Sequence, residues 1–229
     1  MADRWPEAVV FDLDGTLIDS VGDIADALNV AMQRAGMSMF SDSEVGAMIG
    51  GGARVLIGRV LAARGIADNA ALGERLHRDF IAVYQSASVA RTTVFDHARE
   101  LIDELGGKGI KLAICTNKPA SITEDVLAKL DLRRQFQAVI GATDALAKKP
   151  DPAMLIASLD MLGVPVDRAV MIGDSIADVG AARAAGVPVV LLSHGYTRVP
   201  VHELGADAVI DTLAHVMPTI AALQRTASR

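Results

Sequence analysis

Four short clusters of polar residues could do chemistry together: Asp12 with Asp14, Thr116 with Asn117, Lys148 with Lys149, and Asp174 with Asp178. Three follow directly on an apolar run short enough to be a buried strand: Ala8-Val9-Val10-Phe11, Ile110-Lys111-Leu112-Ala113-Ile114-Cys115 and Ala169-Val170-Met171-Ile172. The lysine pair lies on the loop after a fourth such run, Ala138-Val139-Ile140. Carboxylates at the end of a buried strand are costly unless they are paired or bind a metal. Three of them within about 4 Å of one another repel by roughly 4 kcal/mol per pair at an effective dielectric of about 20. Such a cluster calls for a cation, and all-oxygen ligation points to Mg²⁺. A lysine, a hydroxyl and turn amides beside it suit phosphate oxygens. Together these groups describe phosphoryl transfer, in which a carboxylate can attack phosphorus. Taken alone, Thr116 or Ser175 reads as a helix cap. Four clusters on one edge of one sheet do not.

The elements that must hold these residues can be read from periodicity. After the first strand, Gly15 and Thr16 turn the chain, and Val21, Ile24, Leu28 and Met32 recur at helical spacing. Ser41-x-x-Glu44 is a capping box, Gly50-Gly51-Gly52 is a break, and two further helices follow, marked by Leu56/Val60 and by Leu72/Leu76/Phe80. Residues 20–88 therefore read as helix throughout. Beyond them the pattern alternates: helix 97–106, strand 110–115, a helix capped by Ser121-x-x-Glu124, strand 138–140, helix 152–162, strand 169–172 and helix 175–185. Strands at 189–192 and 208–210 and a last helix complete the chain. Alternation of this kind predicts an α/β fold with a parallel sheet and right-handed crossovers. The expected division is a core of residues 1–19 plus 89–229, with an all-helical insert over 20–88. The insert leaves just after the two acids, which suits a lid over the strand ends.

Composition narrows the classes of function. The chain has 229 residues, 51% of them hydrophobic, with a net charge of −6. That balance argues against bulk binding of nucleic acid or an anionic membrane, and no apolar run is long enough to span a bilayer. The single cysteine, Cys115, rules out an internal disulfide and suits a reducing compartment. Met1-Ala2-Asp3-Arg4-Trp5-Pro6 lacks the layout of a secretory signal, so the expected location is cytoplasmic.

Phe11-Asp12-Leu13-Asp14-Gly15-Thr16-Leu17, Thr116-Asn117, Lys149-Pro150 and Gly173-Asp174-Ser175-x-x-Asp178 resemble, in order, the four motifs of the haloacid dehalogenase-like hydrolases. The resemblance implies a Rossmann-like parallel-sheet core with an inserted helical cap. It also implies that Asp12 is a nucleophile forming an aspartyl-phosphate, and that Asp14 protonates the leaving oxygen and then activates water. Thr116 and Asn117 would hold the phosphoryl oxygens, and Lys149, which precedes the proline, would neutralise nucleophile and phosphate. Asp12, the backbone carbonyl of Asp14, and Asp174 would bind Mg²⁺, with Asp178 supporting them. An acid at position 14 favours a phosphatase or a phosphomutase over carbon–halogen cleavage.

In the insert, Ile49-Gly50-Gly51-Gly52-Ala53 with Arg59 is similar to the cap of phosphoglycolate phosphatases, and in the core Asn117-Lys118-Pro119, Asp151-Pro152 and His194-Gly195-Tyr196 also resemble that subgroup. Gly51 and Arg59 are the cap residues expected to meet a substrate anion. Phe95-Asp96-His97 departs from the proline–glycine turn usual in the family. The expected partner is a small phosphorylated metabolite, 2-phosphoglycolate first, acted on by a monomer or homodimer. Other metabolite phosphates, a sugar phosphomutase, or a phospho-aspartate switch without turnover are the alternatives.

Overall fold

β1 (Ala8–Phe11) stands at the centre of a six-stranded sheet because nothing in it tolerates water: all four residues are fully buried. The computed structural model describes residues 5–66, 69–197 and 199–227, with side chains through Gln224. Residues 1–4, on which most of the N-terminal reading rests, lie outside the described residues. After β1 come β2 (Ile18–Asp19), then α1 (Val21–Arg34), α2 (Asp42–Gly46), α3 (Ala53–Ala63) and α4 (Ala70–Ser86). The chain returns through β3 (Thr93–Val94) and continues with α5 (Ala98–Gly107), β4 (Lys111–Pro119), α6 (Ala120–Lys129), β5 (Ala138–Ala142) and α7 (Ala153–Leu162). It ends with β6 (Ala169–Gly173), α8 (Ile176–Ala185), β7 (Val189–Leu192), β8 (Ala208–Ile210) and α9 (Val216–Ala227).

The sheet runs β5-β4-β1-β6-β7-β8 and every pairing in it is parallel, as alternation of strands and helices requires. Successive residues of a strand point to opposite faces, and here both faces are covered. Val9, Phe11, Leu112, Ile114, Val170 and Ile172 share one apolar layer with α5 and α6 and with the helices after β2. Ala8, Val10, Ala113, Cys115 and Met171 share the other with α7 and α8. Complete burial of a side chain such as Phe11 contributes about 2–3 kcal/mol, and its ring also meets Phe136 edge-on. This packing fixes register: Phe11 pairs with Ile114 on one side and Ile172 on the other. Asp12 therefore leaves the sheet level with Cys115 and Gly173, one residue before Thr116 and Asp174. The chain reverses direction across the sheet at β1, the place where open parallel sheets bind ligands.

Helices α1 to α4 fill the interval between β2 and β3, which pair antiparallel as a two-strand ribbon. The ribbon escapes periodicity because it is two residues long on each side. Asp23, buried in the first turn of α1, ties the returning chain down by accepting the backbone N–H groups of Ala90, Arg91 and Thr92 and the Thr92 hydroxyl. The Ser41–Glu44 capping box forms as expected. The Ser121–Glu124 box does not: β4 continues to Pro119, and α6 begins at Ala120 with no side-chain cap. Proline's fixed φ starts the helix there, and Glu124 instead pairs with Arg133 at 2.6 Å. Where the family's turn carries glycine, His97 takes the left-handed conformation at φ 66, one that His adopts more readily than most residues.

Candidate active site

Asp12 is held by its own strand end. Its Oδ1 accepts the Leu13 N–H at 2.7 Å and lies 3.1 Å from the Lys149 ammonium. Lys149, carried in from the loop after β5, is buried and donates to the Cys115 carbonyl and to Asp178 Oδ1, each at 2.6 Å. Lys148 beside it stays part-exposed. The second oxygen of Asp178 accepts from the backbone N–H groups of Asp174 and Ser175 and from the Ser175 hydroxyl. Asp178 thus closes the first turn of α8 with one oxygen and orients Lys149 with the other. Asp174, at the end of β6, accepts the Tyr196 N–H at 2.8 Å.

One oxygen from each of Asp12, Asp174 and Asp178 lies within 4.8 Å of the others, all buried. Burial pushes the Asp12 carboxyl up to about 6, against the pull of Lys149 and with the added push of Asp178. Burial, reinforced by Asp178 and Asp12, also raises Asp174 well above the usual carboxylate range. Burial alone would lower Lys149, but the charges of Asp12 and Asp178 outweigh it and the ammonium is held more firmly than an ordinary lysine. Three buried acids share one lysine, so the cluster lacks positive charge. Its donors are all hard oxygens, the set that suits a small divalent cation such as Mg²⁺. Space for the cluster depends on glycine. A Cβ on Gly15, whose φ is +82, would lie 2.5 Å from Asp174 Oδ2.

Asp14 points away from that cluster. Ser20 Oγ donates to its Oδ1 at 2.6 Å, and the Lys118 ammonium lies 2.8 and 3.1 Å from its two oxygens. Lys118 also bonds the hydroxyl of Tyr84, on α4. Thr116 is buried beside Asp12, with its hydroxyl among the groups that draw the Asp12 carboxyl down. Asn117 donates its amide to the Lys149 carbonyl at 2.9 Å, and its Oδ1 is buried with no partner. Cys115 lies next door, but burial pushes its thiol up to about 11, so it is no nucleophile.

A cavity of about 50 Å³ separates these residues from the helices above them, lined by Asp12, Asp14, Thr116 and Lys118 below and by Gly50, Gly52, Leu56 and Tyr84 above. A Cβ on Gly52, at φ +83, would sit 2.9 Å from the Asn117 carbonyl oxygen, so glycine lets this loop rest on β4. Gly51 is turned toward Val55 and does not line the cavity. Nor does Arg59, which donates to the carbonyls of Met48 and Ile49. The structure thus brings Asp12, Asp14, Thr116, Asn117, Lys149, Asp174 and Asp178 to one strand edge, and leaves Gly51 and Arg59 behind the loop. Lys118, Tyr84, Ser20 and Tyr196 are the site residues that periodicity and spacing did not single out. Tyr196 N–H holds Asp174, while its hydroxyl donates to Asp19 and accepts from the Ser20 N–H. The signal of Lys118 and Tyr196 in the sequence was indirect, in the short stretches Asn117-Lys118-Pro119 and His194-Gly195-Tyr196.

An acid cluster at the switch point of a parallel sheet, with a buried lysine and a helical cover, defines a class of hydrolase. Residues 9–192 match the family model of the haloacid dehalogenase-like hydrolases, and the chain belongs to that family. It is an enzyme of the phosphoglycolate phosphatase-like subgroup. It is 44% identical over 214 residues to the phosphoglycolate phosphatase of Rhodospirillum rubrum, covering 91% of this chain and 88% of that one. It is 41% identical over 208 residues to the phosphoglycolate phosphatase of Caulobacter vibrioides, with the same coverage. A crystal structure described as a predicted phosphoglycolate phosphatase from Haemophilus somnus superposes with a TM-score of 0.88 at 26% identity, covering 95% of this chain and 99% of that one. Among the described residues no helix is long and apolar enough to cross a membrane.

Proposed function

We propose that this enzyme is a Mg²⁺-dependent phosphatase that hydrolyses 2-phosphoglycolate to glycolate and phosphate through a phosphorylated Asp12. The observation that carries the reading is the buried cluster of Asp12, Asp174 and Asp178 around Lys149, a site short of positive charge beside a carboxylate free to attack. Asp12 and Asp174, with the backbone carbonyl of Asp14, would hold Mg²⁺, with Asp178 supporting them; the ion when bound offsets their charge and that of the phosphate. Lys149 steadies Asp12 and offers its charge to a phosphoryl oxygen, while Thr116 and Asn117 hold the others. In the first half-reaction an Asp12 oxygen bonds phosphorus, the ester P–O bond breaks, and Asp14 gives its proton to the leaving oxygen. In the second, Asp14 takes a proton from water, the water oxygen bonds phosphorus, and the bond to Asp12 breaks. Asp12 is then a carboxylate again.

Size supports a small substrate. The cavity between strand ends and helical cover is small, about 50 Å³, and a cover that must close over the site favours a small ester over a sugar phosphate. In this reading residues 20–88 are a lid on a core of residues 1–19 and 89–229, swinging on the β2–β3 ribbon. Arg59 serves the lid by holding the Met48 and Ile49 carbonyls, and Gly51 by packing close on Val55, so that Gly50 and Gly52 stay over the cavity. A reducing cytoplasm suits the single buried, free Cys115. The test is phosphate release by the purified protein from 2-phosphoglycolate and from sugar phosphates, with and without Mg²⁺. Turnover should need Mg²⁺ and favour 2-phosphoglycolate; the opposite ranking overturns the substrate, and equal rates in chelator overturn the metal.

A further inference from the structure

Lys118 takes no part in the chemistry above, yet it is one of the most deeply buried charges in the molecule, its side chain only 1% exposed. A lysine buried to that extent needs anionic or aromatic partners. It has Asp14, the Tyr84 hydroxyl, and the Tyr84 ring, whose centroid is 4.4 Å from the ammonium. An ammonium has three N–H donors. Two Asp14 oxygens and the Tyr84 hydroxyl use all three. A further anion can therefore reach Lys118 only by displacing one of them. Asp14 is the partner that can yield, because Ser20 Oγ still satisfies it after the exchange.

The cavity gives an anion no other cation. Among the described residues that line it, Lys118 is the one lysine or arginine, and Ile24, Ile49, Leu56 and Phe80 supply much of the remaining wall. A phosphate ester set on Asp12 places its non-reacting end in this space. Resting on the reading of the site as a small-ester phosphatase, we infer that Lys118 determines specificity by binding a carboxylate at the substrate's far end in exchange for Asp14. The exchange turns Asp14 loose toward the leaving oxygen. An ester with an uncharged end leaves Asp14 on Lys118, and so does not free it for the leaving oxygen. The enzyme thus selects two-ended anions, phosphate at one end and carboxylate at the other.

The experiment compares wild type, Lys118→Met and Lys118→Arg, loaded with Mg²⁺, on 2-phosphoglycolate and on ethyl phosphate, which has a methyl group in place of the carboxylate. Wild type should prefer 2-phosphoglycolate in kcat/KM by about a hundredfold or more. In Lys118→Met both activities should fall, since Asp14 loses a partner, and the preference should shrink to about threefold or less, with part of it restored in Lys118→Arg. A Lys118→Met enzyme that keeps the full preference overturns the inference and leaves Lys118 as a positioning residue for Asp14. Should Lys118→Met be inactive, calorimetric titration of the Mg²⁺-loaded protein with phosphonoacetate and with methylphosphonate decides. An affinity loss of about tenfold or more confined to phosphonoacetate supports the inference, and equal losses overturn it. A wild type that treats both esters alike overturns the 2-phosphoglycolate reading itself, a failure visible without any variant.

Discussion

Replacing Asp12 with asparagine keeps an acceptor for the Leu13 N–H and removes the charge. Without a divalent cation that charge is a burden: burial displaces the carboxyl from 3.8 to about 6, even with Lys149 3.1 Å away. At about 1.4 kcal/mol per unit, ionising Asp12 costs about 3 kcal/mol more in the folded chain than in the unfolded one. At about pH 3 and below the group is protonated in both states and the difference disappears. As pH rises from about 4 to about 6 the unfolded chain releases its proton first, and metal-free wild type loses that stability. Asparagine loses none. At about pH 8 in chelator, Asp12→Asn should therefore be more stable than wild type by about 3 kcal/mol, which for a chain of this size is roughly 6–12 °C in Tm. At about pH 3 the two should melt together. Added Mg²⁺ should raise the wild-type Tm more than the variant's, since only wild type offers the complete acid cluster. Thermal melts by circular dichroism at the two pH values, with chelator and with Mg²⁺, are paired with phosphate release. A variant less stable than wild type in chelator at the higher pH, or equally stabilised at the lower, would refute the buried-charge argument. Turnover by the variant would refute Asp12 as nucleophile.

Asp14→Asn should lower kcat for phosphate release by about 10²–10⁴, since both half-reactions pass a proton through Asp14. Asp23→Ala removes the acceptor for the N–H groups of Ala90, Arg91 and Thr92 and should cost about 2–5 kcal/mol in urea unfolding. Asp23→Asn, which keeps one acceptor oxygen, should recover part of that loss. Cys115 should resist a thiol reagent at about pH 8 in the folded protein and react promptly in denaturant, because its thiol is both buried and pushed up to about 11. Rapid labelling of the folded protein would show that the sheet beside Asp12 opens.

The strand ends and their acids were legible in the sequence because each is a local pattern. An apolar run must be buried, and a carboxylate straight after it must find a partner, whatever the rest of the chain does. Asp12 and Asp174 follow from that rule, and Thr116 stands at a third strand end. Lys149 was separated from Lys148 only by its resemblance to the family's Lys-Pro motif. The alternation of strands and helices sets them on one edge of a parallel sheet. Other features were beyond local pattern. Ser121 has the spacing of a cap, but Pro119 starts the helix first. The β2–β3 ribbon is too short to show a period. Gly51 and Arg59 sit in the right stretch, yet the fold turns one toward Val55 and the other onto backbone carbonyls. Lys118 and Tyr84 are 34 residues apart in the chain and lie on β4 and α4. Only packing of the helical insert against the strand ends brings the hydroxyl to the ammonium. Sequence alone determined which polar residues stand at the strand ends, since burial and charge act over a few neighbouring residues. Tertiary structure decided what those residues face, since the partner of a buried charge is chosen by whichever element the core draws against it.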